Sequence, residues 1–287
     1  MREKIPLGAN AACVNRAFGV SFPSIAQIVM AYVLPTFFIS ATVCAETNFS
    51  AKRELESTPL IEPAQVIPVG EHLVYEVSWI GVPVGVGQLD VKEKETFNGR
   101  EAYHIVAVAA TNDFLSKIYP VRDEVHSWVD ASTLQSLGSQ KKVSEGFYRA
   151  DERVTYDEAA QKGRYESMRS GEKKEFDISV PVHDAISAFY WVRRQPLTPD
   201  RSARTTVNNG EKDYALEVDV LRRETKEVRG RGRYDTLLIE PKSRYQGILD
   251  KRGRVWVHLN NDASRTPVMV TFRTPFGPIV GVLRDEK

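Results

Sequence analysis

The sequence predicts a mainly β protein, an antiparallel curved sheet or partly open barrel of roughly ten or more strands with one short helix. Three observations lead there. Between His72 and Ile80, Leu73, Tyr75, Val77 and Trp79 alternate with residues of the opposite face, the two-residue period of a half-buried strand. Similar runs recur to the C-terminus, punctuated by Gly, Pro and Asn at intervals of roughly 8 to 15 residues, the spacing of an antiparallel sandwich or barrel. One segment alone, Asp184 to Arg194, carries Ile186, Phe189, Tyr190 and Val192 at helical spacing, with Asp184 placed to cap its start and Gln195-Pro196 to end it.

Taken in order, the first strand is followed by the turn Gly81-Val82-Pro83-Val84-Gly85, and Gly85 and Gly87 mark a bulge where the next strand, Val86 to Glu95, bends. Asn98-Gly99 is a hairpin signal. It leads into Tyr103 to Thr111, apolar on both faces and therefore expected to be covered on both sides. Further strands are expected over 124–130, 134–143, 147–157, 164–168, 213–223, 233–239, 255–259, 268–274 and 279–284. A single helix amid so many short strands argues for one β-rich domain, residues 69–287. Residues 46–68, polar and holding Pro59, Pro63 and Pro68, show no apolar period and are expected to form a flexible leader.

The start of the chain predicts export. Arg2, Lys4 and Arg16 precede an apolar run from Ile25 to Val43, and Val43 and Ala45 suit the minus-three and minus-one pockets of a signal peptidase before the polar Glu46-Thr47-Asn48. This is the grammar of a signal peptide cleaved after Ala45, with residues 1–45 removed and Met1 preferred to Met30 as the start because the positive charges lie between them. An anchor would want about 20 uninterrupted apolar residues, and Pro35 breaks this run. Bulky Val43 argues against a lipoprotein with Cys44 as its lipidated residue. Cys13 and Cys44 both precede the cut, so the mature chain would lack cysteine, which excludes thiol catalysis and cysteine-bound metals. Removing three basic residues and one acidic residue takes 39 against 38 to 36 against 37, so no global field would draw the protein to nucleic acid or to an anionic membrane.

Three motifs together carry a resemblance: Gly70-Glu71-x-Leu73-x-Tyr75-x-Val77-x-Trp79-x-Gly81, then Asp184-x-x-Ser187-x-Phe189-Tyr190-x-x-Arg193, then Val255-Trp256-x-x-x-x-Asn261-Asp262-x-x-Arg265-x-Pro267-Val268. In this order and spacing the chain resembles, over about residues 70 to 285, an uncharacterised bacterial envelope family, domain of unknown function 3108. The resemblance implies an exported protein of antiparallel strands with no established activity. Asn261 stands where an acidic residue is usual, which weakens any carboxylate pair at that turn.

No residue pattern amounts to a catalytic signature. His183, Asp184 and Ser187 suggest a hydrolase triad, but a shared helix and the absence of a Gly-x-Ser-x-Gly elbow favour a cap at Asp184 and a local backbone bond at Ser187. His72, His104, His126, His183 and His258 never fall at metal-ligand spacing, so neither a metal site nor a cofactor is expected. Asp184, Arg193, Asp262 and Arg265 read as a structural polar network, with a partly buried Asp262 pairing an arginine or turn amides and pinning its turn to the helix. The basic stretch from Arg222 to Arg233, interleaved with Glu224 and Glu227, reads as a charge-protected hairpin edge. Tyr75, Trp79, Trp128 and Trp256 are the candidates to line an apolar groove in a curled sheet.

The expected function is thus that of a non-enzymatic periplasmic protein binding an apolar or amphipathic envelope component, a lipid for example, in its concave sheet, with the helix at the mouth. Membrane contact is expected only during export or peripherally, and nucleic acid is not an expected partner. The competing readings are an assembly or scaffold factor recognising protein or glycan partners through sheet edges and, behind it, an envelope hydrolase.

Overall fold

A computed structural model describes residues 67–199, 201–245, 248–249 and 254–286; the expected signal peptide and nearly all of the leader lie outside them. Fifteen strands form one antiparallel sheet: β1 (His72–Trp79), β2 (Val82–Phe97), β3 (Arg100–Thr111), β4 (Arg122–Asp130), β5 (Ser136–Glu145), β6 (Tyr148–Asp157), β7 (Lys162–Ser167), β8 (Lys173–Asp177), β9 (Ala203–Asn208), β10 (Asp213–Val228), β11 (Gly232–Tyr245), β12 (Ile248–Leu249), β13 (Arg254–Asn260), β14 (Pro267–Thr274) and β15 (Gly277–Glu286). Its path runs β8-β7-β6-β5-β4-β3-β2-β1-β15-β14-β13-β11-β10-β9, with β12 beside β11. Two meanders therefore meet where the first strand pairs the last, Val77 opposite Gly281 and Trp79 opposite Ile279.

The sheet is curled and not closed, because β8 and β9 at its two ends do not pair with each other as strands. Register shifts at Val77/Ser78, Val91/Lys94 and Trp128/Val129 supply the local bends that curling requires. Tyr156 of β6 donates from its hydroxyl to Asn208 Oδ1 of β9 at 3.2 Å, so side chains span the gap that the backbone leaves.

Among the described residues two helices interrupt the strands. The single turn α1 (Asp113–Ser116) sits in the β3–β4 loop, where the Asn112 side chain accepts from the Leu115 amide; helical periodicity could not announce so short an element. The second, α2 (Ala185–Arg193), lies inside the curl. Ile186, Tyr190, Trp191 and Val192 share one core with Val77, Tyr103, Ile105 and Val125 from one meander and Val218, Leu237, Val257 and Phe272 from the other. Burial of that apolar area, at about 25 cal/mol per Å², is what bends the sheet round the helix. Ile67, in the segment expected to be leader, is fully buried in the same core.

Candidate functional site

Helix α2 is fixed at both ends by buried charge. At its start, Asp184 has extended backbone (φ −81°, ψ 177°) and one carboxylate oxygen accepts from the amides of Ile186 and Ser187 at 2.8 and 2.9 Å. The other oxygen accepts from the hydroxyls of Ser127 on β4 and Ser136 at the start of β5, both at 2.6 Å. Four donors compensate a carboxylate whose burial still holds its pKa above the ordinary range. At the far end, Arg193 donates to both oxygens of Glu71 at 2.8 and 2.6 Å, Tyr190 donates to the same carboxylate at 2.6 Å, and Arg193 also reaches the Ser264 carbonyl at 2.9 Å. The helix is thereby tied to β4 and β5 at one end and to the start of β1 and the β13–β14 turn at the other.

Nearly every α2 residue is buried, and Phe189 is the exception. Its ring, with Ile186, faces a cavity of about 160 Å³ between the helix and the concave sheet, walled by Tyr75, Leu89, Val270 and Phe272 among others. Two glycines widen it. A Cβ at Gly87 would meet only Tyr75 Cβ and Val77 Cγ2, both at 3.8 Å, and one at Gly281 only Tyr75 Cβ at 3.8 Å, so larger side chains at either position would occupy space that is now open. Tyr75 spends its polar end on the Pro267 carbonyl at 2.8 Å and burial raises its pKa, so the neutral ring is what the groove presents.

Of the aromatic candidates read from the sequence, Tyr75 alone lines this groove. Trp79 ends β1 at the sheet margin, half-exposed, with Nε1 donating to the Phe276 carbonyl at 3.1 Å. Trp128 alternates with inward Val125 and Ser127 and so lies on the convex face, stacked on Phe97 at 4.5 Å and on His104 at 5.2 Å and hydrogen-bonded to Glu95. Trp256, between inward Val255 and Val257, also turns outward, beneath the Arg254 guanidinium at 4.7 Å. The pleat decides these three placements.

The four residues read as one polar network fall at three places, the two ends of α2 and the β13–β14 turn, and the bond from Arg193 to the Ser264 carbonyl links helix and turn. Asp184 and Arg193 act at opposite ends of α2, and Arg193 pairs Glu71 instead of Asp262. Asp262 is exposed; it accepts from the Ser264 amide and hydroxyl, the Arg265 amide and the Asn260 side chain, so it closes its own turn. Arg265 donates to Asn261 Oδ1 at 2.9 Å. Glu71, which sequence reasoning did not place in the network, stands in the first motif beside Gly70. Its partner lies 122 residues on, beyond any local period.

The hydrolase constellation does not assemble. Ser187 donates to the Asp184 carbonyl at 3.1 Å and is fully buried. His183 packs against Trp191 at 5.7 Å, where burial lowers its pKa to about 4. Among the described residues no group of three or more His, Cys, Asp or Glu is placed to hold a metal ion, and no helix is long and apolar enough to cross a membrane.

The family of proteins of unknown function DUF3108 matches residues 74–284. The chain belongs to that family. No curated protein is a significant match. This DUF3108 chain is similar in fold to a β-barrel-like protein of another domain of unknown function, DUF1849, from Brucella abortus, with 9% identity, a TM-score of 0.51, and 76% of this chain and 97% of that one covered. Weaker likenesses are to a protein assigned as exported, of YmcC-like fold, from Bacteroides fragilis (9% identity, TM-score 0.29, 77% and 96% covered) and to one assigned as a lipoprotein from Parabacteroides distasonis (9%, 0.30, 81% and 100%).

Proposed function

We propose that this DUF3108 protein is an exported, non-enzymatic envelope protein that binds an apolar or amphipathic envelope component in the groove between α2 and the concave sheet. The observation that carries the reading is Phe189: on a helix otherwise sunk in the core, this large apolar side chain stays incompletely covered and faces an apolar cavity floored by Gly87 and Gly281. A void of this size lined by hydrocarbon forfeits contacts that an apolar guest would restore, and engineered cavities of about 150 Å³ take up benzene for that reason. The lining offers scarcely a polar group, so the bound portion would be hydrocarbon or an aromatic ring, with any polar head outside. Export rests on the basic and apolar pattern before Ala45, with the periplasm as the expected compartment.

Native mass spectrometry of protein recovered from its own envelope, together with titration of a fluorescent fatty acid, tests the reading. Co-purifying lipid or saturable probe binding is expected. Gly87→Leu should abolish the binding while leaving the melting temperature unchanged. No bound mass and no probe signal above background would overturn the groove assignment.

A further inference from the structure

The end of the sheet that carries the β1–β2, β3–β4, β5–β6 and β14–β15 connections is fringed with large apolar side chains. Ile80 and Val82 project from the first connection, Phe114 and Ile118 from the second, Phe147 from the third and Phe276 from the fourth; Phe114 is 75% exposed and Ile118 70%. Isolated exposed apolar residues are ordinary, but this concentration along one margin is not. The opposite margin, with the β10–β11 and β13–β14 turns, is built from Arg229, Arg231, Asn261, Asp262 and Ser264.

These connections are stitched into one edge. Trp79 Nε1 binds the Phe276 carbonyl at 3.1 Å, and the Ile80 amide binds the Pro278 carbonyl at 3.0 Å, which joins the first connection to the fourth. Asn112 donates from its side chain to the Pro83 carbonyl and from its amide to the Val84 carbonyl, which joins the first to the second. The Gly146 amide binds the Pro120 carbonyl at 2.8 Å, and the Tyr119 ring lies so close over Gly146 that a Cβ there would come within 2.8 Å, which joins the second to the third. The apolar side chains are therefore held outward by an ordered backbone.

Charge selects the occupant. Exposed Lys117, Arg122, Arg149 and Arg273 belong to the same connections and strand ends, whereas Asp123 and Glu145 at this margin are buried and Asp113 is the exposed acid beside Phe114. Aromatic and aliphatic tips flanked by cations suit the boundary between headgroups and acyl chains, where rings sit at headgroup depth and basic side chains meet anionic lipid. A neutral whole-chain charge does not oppose this, because the field falls off within about 10 Å and the local cations dominate. The groove lining extends towards the same margin, since Ile279 pairs Trp79 and Phe272 pairs Ile279.

We infer that this apolar, basic margin docks the protein peripherally on an anionic lipid bilayer, its turn tips entering the headgroup region. The docking surface stands apart from the groove reading and holds whether or not the groove is filled.

Flotation with vesicles decides it, using protein exported with its own leader and purified from the periplasm. The wild type should float with vesicles of phosphatidylcholine and phosphatidylglycerol at low salt, and at least tenfold less with phosphatidylcholine alone. Phe114→Ser, Ile118→Ser and Phe147→Ser combined should reduce flotation at least tenfold with unchanged melting temperature and unchanged fatty-acid binding. Lys117→Glu with Arg122→Glu should lose binding to the anionic vesicles. Failure of the wild type to float, or equal flotation of all variants, overturns the inference. So does a wild-type dimer in sedimentation equilibrium that the serine variant converts to monomer without any vesicle binding, because the margin would then be a contact between copies of the chain.

Discussion

Arg193 and Glu71, 122 residues apart in the chain, form a two-pronged ion pair in which the arginine side chain is fully buried and the glutamate nearly so. Tyr190 adds a hydrogen bond to Glu71 and the Ser264 carbonyl accepts one from Arg193, which helps to offset the desolvation of the pair, although Arg193 Nε stays buried without a hydrogen-bond partner. Its structural consequence is positional: the C-terminal end of α2 is clamped to β1, and Phe189, one turn earlier, is presented to the groove.

Removing one partner should be costly. Glu71→Ala leaves Arg193 buried without a counter-charge and is expected to lower stability by roughly 3 to 5 kcal/mol. Asp262→Ala, by contrast, loses turn bonds at an exposed site and should cost about 1 kcal/mol or less. Urea denaturation of both variants checks the contrast; equal losses would contradict the placement of Asp262 outside the clamp.

Asp184→Ala removes the cap of α2, leaves the buried Ser127 hydroxyl without its acceptor and leaves that of Ser136 only the long bond to the Gly138 carbonyl at 3.5 Å. The cap alone is worth about 1 kcal/mol, and each of these buried hydroxyls adds roughly 1 kcal/mol or more. A loss of about 3 kcal/mol is therefore expected. Asp184→Asn should recover part of it, since the amide oxygen still accepts from Ile186 and Ser187.

His183 imposes a pH dependence. Burial lowers its pKa to about 4 from an ordinary value of 6.5, so the unfolded chain takes up a proton that the folded chain refuses. Its contribution is fully present above pH 6.5, is lost as pH falls towards 4, and levels off below. The span amounts to roughly 3 kcal/mol. Denaturation at pH 7.5 and pH 4.5 should show a smaller difference for His183→Phe than for the wild type. Equal differences would remove His183 from the acid sensitivity.

Gly85 and Gly87 sit two apart on β2 but should respond oppositely to substitution. A Cβ at Gly85 would lie 2.2 Å from the Ala110 carbonyl oxygen, so Gly85→Ala must push β2 from β3 at a cost of about 1 to 3 kcal/mol or more. Gly87→Ala meets only ordinary contacts and should be neutral or stabilise by roughly 0.5 kcal/mol through the less flexible unfolded chain. Thermal melts of the two single variants compare them directly.

Strands with one buried face were legible in the sequence because the pleat writes burial as a period of two: β1, β4 and β13 lie within two residues of their expected bounds. The cap at Asp184 and the end of α2 were legible for the same kind of local reason. β8 and β9 were not expected. In Lys173–Asp177 only Phe176 turns towards apolar neighbours, and an edge strand with a mostly solvated pattern leaves no period to read. β10 and β11 ran further than expected because their mutual ladder sustains the polar stretch from Glu224 to Glu227 as far as Val228, which is buried beside Leu73 and Leu283.

By itself, the sequence determined the mainly β class, the short helix that follows Asp184 and its cap, and the family resemblance, because each rests on neighbours within a few residues. Tertiary structure decided which way the sheet curls, that the outer tryptophans Trp128 and Trp256 leave the groove to Tyr75 and Phe189, and that Arg193 meets Glu71. The physical reason is chain closure: β1 pairs β15 across some 200 residues and α2 is buried between the two meanders, so contacts that create the cavity, the clamp and the apolar margin exist only once distant segments share one core.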